Sequence, residues 1–186
     1  DLSDVLSGLL EKVEEKDNTA WLKEIDGFKD TGHKIDENAF HPKNILEAFN
    51  KKLGSKNTTV VTDVGQHQMW TAQYWQFEEG RSYITSGGLG TMGFGLGGAI
   101  GPKLGTPEKN VLLVTGDGSF KMNCNELATV ATQNLPIVIL LFNNNALGMV
   151  RQWQNLFSDK RYSETDIYDK TDYIMLANAY GIEGHK

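Results

Sequence analysis

Oxygen-bearing side chains follow two apolar runs that are typical of buried strands. Asp117 lies between two glycines after the run at residues 111–115, and asparagines at 143–145 follow the run Ile137–Phe142. The 27 residues that separate Asp117 from Asn144 suffice for one helix and one strand, so the chain returns to the same edge of a parallel sheet. Carboxylate and amide oxygens suit Mg²⁺, which takes its remaining ligands from water and phosphates. The spacing therefore predicts half of a magnesium–diphosphate site.

These side chains also have an ordinary structural interpretation. Asp117 could cap a turn, and the asparagines could supply hydrogen bonds within a loop. For either residue alone, that structural role is the better interpretation. The pair at this spacing, with each member directly after a buried strand, favours the shared ion instead.

A glycine-rich segment is the second candidate site. Residues 86–101 hold eight of the 20 glycines, and Gly88, Gly90 and Gly93 form a GxGxxG pattern. In dinucleotide-binding proteins the acidic residue that binds the ribose follows about 20 residues later, whereas Asp117 lies 29 residues after Gly88. A nicotinamide-binding dehydrogenase is therefore the less favoured interpretation, and close packing of a helix onto a sheet is a further one.

Apolar patterning predicts the elements that position these candidates. The runs Thr58–Thr62, 111–115 and Ile137–Phe142 are typical of strands buried on both faces of a parallel sheet. A helix is predicted over residues 123–133, between the last two strands, with Asn123 and the glutamate three residues later as a capping box. A final helix is predicted over 172–180. The fold class is therefore α/β, a parallel sheet flanked by helices.

The N-terminal third of the chain differs in composition from the rest. Residues 1–57 are rich in Lys, Glu, Asp and Asn, and they contain two predicted helices, over 2–16 and Pro42–Leu53. Between these helices, residues 17–40 are predicted to be a connector without a core element. We expect residues 1–40 to be the end of a preceding domain with its linker, and residues 41–186 to be the domain that carries the candidate sites.

Charge and composition exclude several classes of protein. Eighteen Lys and Arg against 24 Asp and Glu give a net charge of -6 without a basic stripe, so we expect no nucleic-acid partner. The longest apolar run, Ile137–Phe142, is far shorter than the roughly 20 residues of a membrane helix. The single cysteine, Cys124, excludes an internal disulfide and suits a reducing compartment. The sequence therefore predicts a soluble, cytoplasmic protein with no membrane partner.

Several strings carry a family resemblance. Gly116-Asp117-Gly118, followed after 24 residues by Asn143-Asn144, is similar to the signature of thiamine diphosphate enzymes. The strings TDVGQHQMW at 62–70, GLGTMGFG at 88–95 and LGMVRQW at 147–153 strengthen the match. Together they resemble the C-terminal cofactor domain of acetolactate synthase (acetohydroxyacid synthase) large subunits, from about Pro42 to Gly184. The resemblance implies a thiamine diphosphate-binding PP-type domain over residues 41–186, truncated at its C-terminus.

The resemblance also implies roles for individual residues. Asp117 and Asn144 would bind Mg²⁺ through their side chains, and Ala146 through its carbonyl. Gly90 would offer its carbonyl to the aminopyrimidine of the cofactor, and Met92 would support the bend between the two cofactor rings. The residues implied to bind thiamine diphosphate are Gln66, His67, Gly90, Thr91, Met92, Asp117, Gly118, Ser119, Asn144, Asn145, Ala146, Leu147, Gly148 and Met149.

Further positions match the family's FAD contacts and substrate pocket. Gly87 and Gly88 would touch FAD, whereas Met149, Val150 and Trp153 would line the pocket for the second substrate. From the residues alone, His67 could instead be an ordinary packed histidine, and the methionines and Trp153 could be core residues. Cys124 is predicted to be structural. The remaining histidines are predicted to face solvent without partners, and they are His33, His41 and His185.

The resemblance implies a reaction and its partners. Thiamine diphosphate would support the condensation of pyruvate with a second 2-ketoacid, pyruvate or 2-ketobutyrate, to give acetohydroxyacids with loss of CO₂ in branched-chain amino-acid biosynthesis. The activating glutamate of this family lies on the N-terminal domain of a neighbouring chain, so a homo-oligomer with shared active sites is implied, and this chain alone is expected to be inactive. A small regulatory subunit is also implied. The alternatives within the family are glyoxylate carboligase, pyruvate oxidase and sulfoacetaldehyde acetyltransferase; a non-catalytic interaction domain is a further alternative.

Overall fold

The described residues of the N-terminal part of the chain form two helices. The computed structural model describes residues 1–29, 35–168 and 170–186, and the chain separates into two compact units, residues 1–39 and 40–186. The first unit contains α1 (Leu2–Leu10) and α2 (Thr19–Lys29). Two predictions for it are wrong, because α1 ends at Leu10 and because α2 lies within the predicted connector. Just before α2, the Asp17 carboxylate accepts a hydrogen bond from the Thr19 amide (2.9 Å), which forms a local turn.

The second unit alternates strands with helices. Its elements in chain order are α3 (Pro42–Leu53), β1 (Thr58–Thr62), α4 (Gln66–Tyr74), β2 (Tyr83–Thr85), α5 (Phe94–Gly105), β3 (Asn110–Gly116), α6 (Asp117–Lys121), α7 (Leu127–Thr132), β4 (Ile137–Phe142), α8 (Gly148–Phe157) and α9 (Tyr173–Ala179). The three predicted strands are confirmed, with β3 one residue longer at each end. Among the helices of the described residues, none combines the length and the apolar character that a bilayer crossing requires.

The strands of the described residues form one parallel sheet in the order β2-β1-β3-β4. The chain leaves β1 for β2 on one side and then returns through α5 to β3 on the other side. The carboxyl ends of β1 and β3 therefore flank a topological switch point, which is where open α/β sheets bind ligands. The predicted fold class, a parallel sheet flanked by helices, is confirmed.

Both faces of the central strands β1 and β3 are buried. Val61 and Leu113 belong to a core cluster with α5 and α7, whereas Val60 and Leu112 belong to a second cluster with α3 and α4. Consecutive residues of a strand point to opposite faces. A strand that helices cover on both sides must therefore be apolar at successive positions, which explains the continuous apolar runs of the sequence.

The connection between β3 and β4 differs from its prediction. Residues Cys124–Glu126 form a 3₁₀ turn before α7, and the Asn123 side chain makes no capping hydrogen bond. The predicted capping box is therefore wrong. The Glu126 amide bonds to the Asn123 carbonyl (3.2 Å), which winds this stretch as a 3₁₀ turn, and the Glu126 carboxylate accepts from Thr129 Oγ1 (2.9 Å) instead. Cys124 packs against the core cluster of α5 and α7.

The predicted solvent-facing histidines have different environments. His33 lies outside the described residues. His41 is partly buried at the N-terminus of α3, where its Nδ1 accepts from the Lys43 amide (3.1 Å), so the prediction for His41 is wrong. His185 is exposed, and its Nε2 lies 3.1 Å from Glu183 Oε1.

Candidate functional site

A cleft lies at the carboxyl ends of β1, β3 and β4. Its volume is about 120 Å³, and its walls are the three segments that follow these strands. The lining residues are 64–67, 116–119 and 146–150, with Asn144, Trp70, Met92 and Phe142. The cleft therefore occupies the edge of the sheet where the switch between β1 and β3 leads us to expect a ligand.

Asp117 and Asn144 line this same cleft. Asp117 is only 1 % exposed, and its Oδ2 accepts a hydrogen bond from the Asn145 amide (2.8 Å), which joins the segments after β3 and β4. Burial raises the pKa of the Asp117 carboxyl, and hydrogen bonds from backbone amides oppose this shift. Asn144 Oδ1 accepts from the Ala146 amide (3.0 Å). A buried carboxylate and a side-chain amide thus line the same cleft.

Two helices begin at the cleft without side-chain caps. The first turns of α4, at Gln66, and of α8, at Gly148, line its walls, and neither N-terminus has a side-chain capping hydrogen bond. The two helices are tied together by a hydrogen bond from Gln66 Nε2 to Gln152 Oε1 (2.9 Å). Unpaired N–H groups and the positive ends of the helix dipoles favour an anion at such positions. The arrangement suits a diphosphate.

Glycines let the backbone line the cleft directly. A Cβ added at Gly118 would lie 2.9 Å from Ile167 Cδ1. A Cβ added at Gly148 would collide with Gln66 Oε1 and would lie 2.9 Å from Asn144 Nδ2. A side chain at either position would therefore have to displace the ends of neighbouring side chains, among them those of Gln66 and Asn144 in the cleft wall.

His67 is a buried, neutral member of the cleft wall. Burial lowers the pKa of His67 to about 4, and a hydrogen bond with the Asp63 backbone opposes that shift. Its Nε2 has no hydrogen-bond partner within the described structure. Gly65 and Gly116 leave room for the ring, because a Cβ at Gly65 would lie 2.8 Å from its Cε1 and one at Gly116 would lie 3.0 Å from its Nδ1. An orphaned buried nitrogen is a polar group that a ligand could satisfy.

The low pKa of His67 predicts a loss of stability in acid. The unfolded chain binds the imidazole proton below pH 6.5, whereas the folded chain binds it only below about 4. Above pH 6.5, protonation of His67 therefore costs the folded state nothing. As the pH falls from 6.5 toward 4, the free energy of unfolding decreases, because only the unfolded chain binds the proton. Between pH 7.5 and pH 5 we expect the free energy of unfolding to fall by about 2 kcal/mol more in the native chain than in His67→Gln, measured by chemical denaturation.

The comparison with His67→Gln isolates the histidine. Burial raises the pKa values of Asp63 and Asp117, and these raised values oppose the effect of His67 because they favour the folded state as the pH falls. Both carboxylates are present in both proteins, so their contributions cancel in the difference. Parallel stability curves for the two proteins would show that His67 is not held neutral by burial.

Asp63 is a buried carboxylate beside the cleft to which the sequence analysis gave no role. Its Oδ1 accepts from the amides of Gly93 (2.9 Å) and Gly95 (3.0 Å). Its Oδ2 accepts from Thr115 Oγ1 (2.8 Å). Asp63 therefore ties the end of β1 to the start of α5 and to the end of β3. Its contact on β3, Thr115, lies two residues before Asp117. Its position immediately after a buried strand, which is also the position of Asp117, is the sequence signal that could have identified it.

The structure brings most of the predicted site residues together. Those that line the cleft are Gln66, His67, Met92, Asp117, Gly118, Ser119, Asn144, Ala146, Leu147, Gly148, Met149 and Val150. Asn145 contributes through its amide bond to Asp117. Residues that line the cleft without having been predicted are Val64, Gly65, Trp70, Gly116 and Phe142.

Other predicted residues lie outside the cleft. Gly87, Gly88, Gly90 and Thr91 are exposed in the loop between β2 and α5. Trp153 is on α8 with 63 % of its surface exposed. The roles predicted for these five residues therefore depend on ligands or chains that would reach beyond the cleft.

The donor set of the cleft suits a hard cation that retains other ligands. Within the described ranges, no group of three or more His, Cys, Asp or Glu side chains is placed to hold a metal ion. A cation beside Asp117 would therefore depend on amide and carbonyl oxygens, water and an anionic ligand. That is the usual manner in which Mg²⁺ is bound with phosphates.

Comparisons with known proteins identify the family. Residues 63–186 match the family model described as thiamine pyrophosphate enzyme, C-terminal TPP binding domain. The chain is 42% identical over 180 residues, 92% of its length, to a probable acetolactate synthase large subunit of Methanococcus aeolicus, of which it covers 30%. It is 54% identical over 125 residues, 67% of its length, to the acetolactate synthase isozyme 2 large subunit of Escherichia coli (strain K12), of which it covers 23%.

A eukaryotic relative extends the comparison. The chain is 40% identical over 189 residues, 96% of its length, to the mitochondrial acetolactate synthase catalytic subunit of Aspergillus candidus, of which it covers 27%. The chain thus spans less than a third of the length of these three relatives. The similarity to acetolactate synthase large subunits is confirmed, and with the family match it shows that the chain belongs to the thiamine pyrophosphate enzymes, in the family of their C-terminal TPP-binding domain.

Proposed function

We propose that this chain forms the Mg²⁺–diphosphate half of the active site of an acetolactate synthase. The observation that carries the proposal is the convergence of Asp117, Asn144 and two uncapped helix N-termini on one cleft. The activity is the condensation of pyruvate with a second 2-ketoacid, which belongs to branched-chain amino-acid biosynthesis. The relatives whose names support this activity are all much longer than this chain.

The cation would be held by oxygens from neighbouring strand ends. Asp117 and Asn144 would supply side-chain oxygens and Ala146 its backbone carbonyl, while the diphosphate and water would complete the coordination. The carboxylate of Asp117 is buried, which raises its pKa, so a bound cation would compensate a charge that the protein otherwise holds at a cost. The Asn145 amide keeps that carboxylate oriented through its 2.8 Å hydrogen bond.

The diphosphate would be held mainly by backbone and neutral polar groups. The N-termini of α4 and α8 present amides from Gln66 and Gly148 onward. The orphaned Nε2 of His67 is a further polar group on the same wall. Ser119 is fixed by a hydrogen bond from its Oγ to the Val64 carbonyl (2.9 Å), which holds α6 against the segment after β1.

The apolar part of the cleft would exclude water from the reacting end of the cofactor. Met92, Trp70 and Phe142 all line it, and the two aromatic rings pack edge to face with centroids 5.5 Å apart. When bound, thiamine diphosphate supplies the thiazolium ring that accepts the electron pair left by the departing CO₂. The chain's own contribution is to anchor, orient and desolvate that ring.

Substrate and partner contacts would come from α8. Val150 lines the cleft and is half exposed, and Trp153 and Phe157 follow at helical spacing with 63 % and 76 % exposure. These side chains are available to a 2-ketoacid and to a neighbouring chain that shares the site. We include a homo-oligomer and a small regulatory subunit in the proposal, with FAD at Gly87 and Gly88 and a cytoplasmic location, on the strength of the resemblance.

Thermal melting with the cofactor tests the proposed function. Mg²⁺ and thiamine diphosphate together, at about ten times their dissociation constant, are expected to stabilise the chain by about 1.4 kcal/mol and to raise the melting temperature by roughly 3–6 °C. Thiamine without its diphosphate is the matched control and is expected to have no effect. Stabilisation by NADH without a metal requirement, or by none of these ligands, would contradict the proposal.

A further inference from the structure

The loop at residues 144–147 is held on both sides. On one side, the Asn145 amide donates to Asp117 Oδ2 (2.8 Å). On the other side lie residues 165–167, which we call the strap. The Leu147 amide donates to the Thr165 carbonyl (2.8 Å), and the Ile167 amide donates to the Asn145 carbonyl (3.0 Å). The strap therefore bonds to the residues that flank Ala146.

The register of these bonds sets the direction of the Ala146 backbone. Ala146 and Asp166 pair as an isolated antiparallel bridge. Both hydrogen bonds of this bridge are made by the residues on either side of the pair, and none by Ala146 or Asp166. In such a pair, the N–H and C=O groups of the paired residue turn away from the partner segment. The Ala146 amide accordingly bonds to Asn144 Oδ1 (3.0 Å), and Ala146 lines the cleft. A slip of one residue would turn a different carbonyl toward the cleft.

The loop needs this support because its backbone adopts an uncommon conformation at Asn145. Asn145 has a φ of 54°, a left-handed conformation that non-glycine residues adopt uncommonly. Residues in such regions persist only where the surroundings fix them. The bonds from the strap and from Asp117 are the surroundings that fix Asn145.

The strap is itself anchored to α8 and α6. Asp166 Oδ1 accepts from Arg151 Nη1 (2.9 Å), and the Arg151 guanidinium lies 4.1 Å from the centroid of the Tyr162 ring. Thr165 is 2 % exposed. Ile167 packs against α6, where a Cβ added at Gly118 would lie 2.9 Å from its Cδ1.

We propose that the strap selects the Ala146 carbonyl as the oxygen offered to the cation and that Arg151 is the positioning residue that fixes the strap. This inference rests on the proposed function, because only a cation in the cleft gives that carbonyl a ligand to meet. Arg151 acts through Asp166 and the strap, and it is not among the residues that line the cleft.

The charge of Arg151 and its role as an anchor predict opposite effects of its removal on cation binding. Loss of a positive charge near a cation site would, by Coulomb's law, strengthen cation binding. Loss of the anchor would release the strap and weaken binding. The substitution Arg151→Gln therefore separates the two effects by sign. Arg161→Gln is the matched control, because Arg161 is 79 % exposed and contacts neither the strap nor the cleft: its Nε donates to the Ser158 carbonyl (3.2 Å), and its ion pair with Asp159 is a loose 3.9 Å.

The experiment uses Mn²⁺ as the probe, with electron paramagnetic resonance of free and bound ion in the presence of thiamine diphosphate. We expect Arg151→Gln to weaken Mn²⁺ binding about five- to tenfold. Arg161→Gln should bind Mn²⁺ as tightly as the native chain does. Arg151→Lys should recover part of the lost affinity, because lysine can still reach Asp166. Amide hydrogen exchange without cofactor is the second readout. The Leu147 and Ile167 amides are expected to exchange faster in Arg151→Gln.

The possible outcomes separate the inference from the proposed function. Unchanged or tighter Mn²⁺ binding in Arg151→Gln, or unchanged exchange at Leu147 and Ile167, would overturn the role of the strap and leave the proposed function in place. If the native chain bound no Mn²⁺ with thiamine diphosphate, the proposed function would be overturned, and the strap's role toward a cation with it.

Discussion

Replacing Asp117 with asparagine is expected to lower the affinity for Mg²⁺ with thiamine diphosphate about 100-fold, which corresponds to about 2.7 kcal/mol. The substitution keeps the shape of the side chain and an oxygen for the Asn145 amide, but it removes the charge that would meet the cation. Without ligand, the variant is expected to be as stable as the native chain or more stable by up to about 1 kcal/mol, because burial disfavours the charged carboxylate. Isothermal titration and denaturant unfolding measure the two quantities.

Asp172→Asn is the matched control for this prediction. Asp172 also accepts hydrogen bonds from backbone amides, those of Ile174 and Met175 at the start of α9, but it does not line the cleft. Asparagine caps helices about as well as aspartate, so this variant should retain both stability and cofactor binding. Equal cofactor affinities in Asp117→Asn and Asp172→Asn would remove the carboxylate of Asp117 from the proposed metal site.

The central strands β1 and β3 could be predicted from the sequence because both of their faces are buried, and β4, which is partly exposed, because its apolar run is unbroken. Burial on both faces requires apolar residues at consecutive positions, and such runs need no knowledge of their partners. Helix α2 was missed, although Trp21, Ile25 and Phe28 recur at helical spacing, because Asp26 and Gly27 interrupt the pattern. The Asn123 cap was wrong because a local motif cannot show that the chain winds first as a 3₁₀ turn.

From the residues themselves, the candidate site was predictable only where a local signal marks it, and the other predicted lining residues depended on the family resemblance. Asp117 and Asn144 stand directly after strand-like runs, so their meeting at one sheet edge follows from parallel topology. The partners of Asp63 lie 30 to 52 residues away in the chain, and no spacing in the sequence encodes those contacts. The strap is a comparable case, because its backbone bonds to residues 145 and 147 depend on how the chain folds back after α8.

Gly95 packs against the hydrogen-bonded carboxylate of Asp63, so we expect a side chain at this position to lower the stability of the fold strongly. A Cβ at Gly95 would lie 2.6 Å from Asp63 Oδ2 and 2.7 Å from Leu113 Cδ1. Neither atom can move cheaply, since Asp63 holds three hydrogen bonds and Leu113 is fully buried. We expect Gly95→Ala to lower the free energy of unfolding by about 3 kcal/mol and the melting temperature by roughly 10 °C, both measured without ligand.

Gly97 offers the matched comparison in the same helix. Gly97 is exposed, and a Cβ there would meet nothing within 4 Å, so the intrinsic helix preference of alanine acts alone. Gly97→Ala is expected to raise the free energy of unfolding by about 0.5–1 kcal/mol. Glycine-to-alanine substitutions two residues apart should therefore change the free energy of unfolding in opposite directions, which helix propensity alone cannot explain. If both variants were stabilised, Asp63 could not be the rigid brace between β1, α5 and β3 that its three short hydrogen bonds indicate.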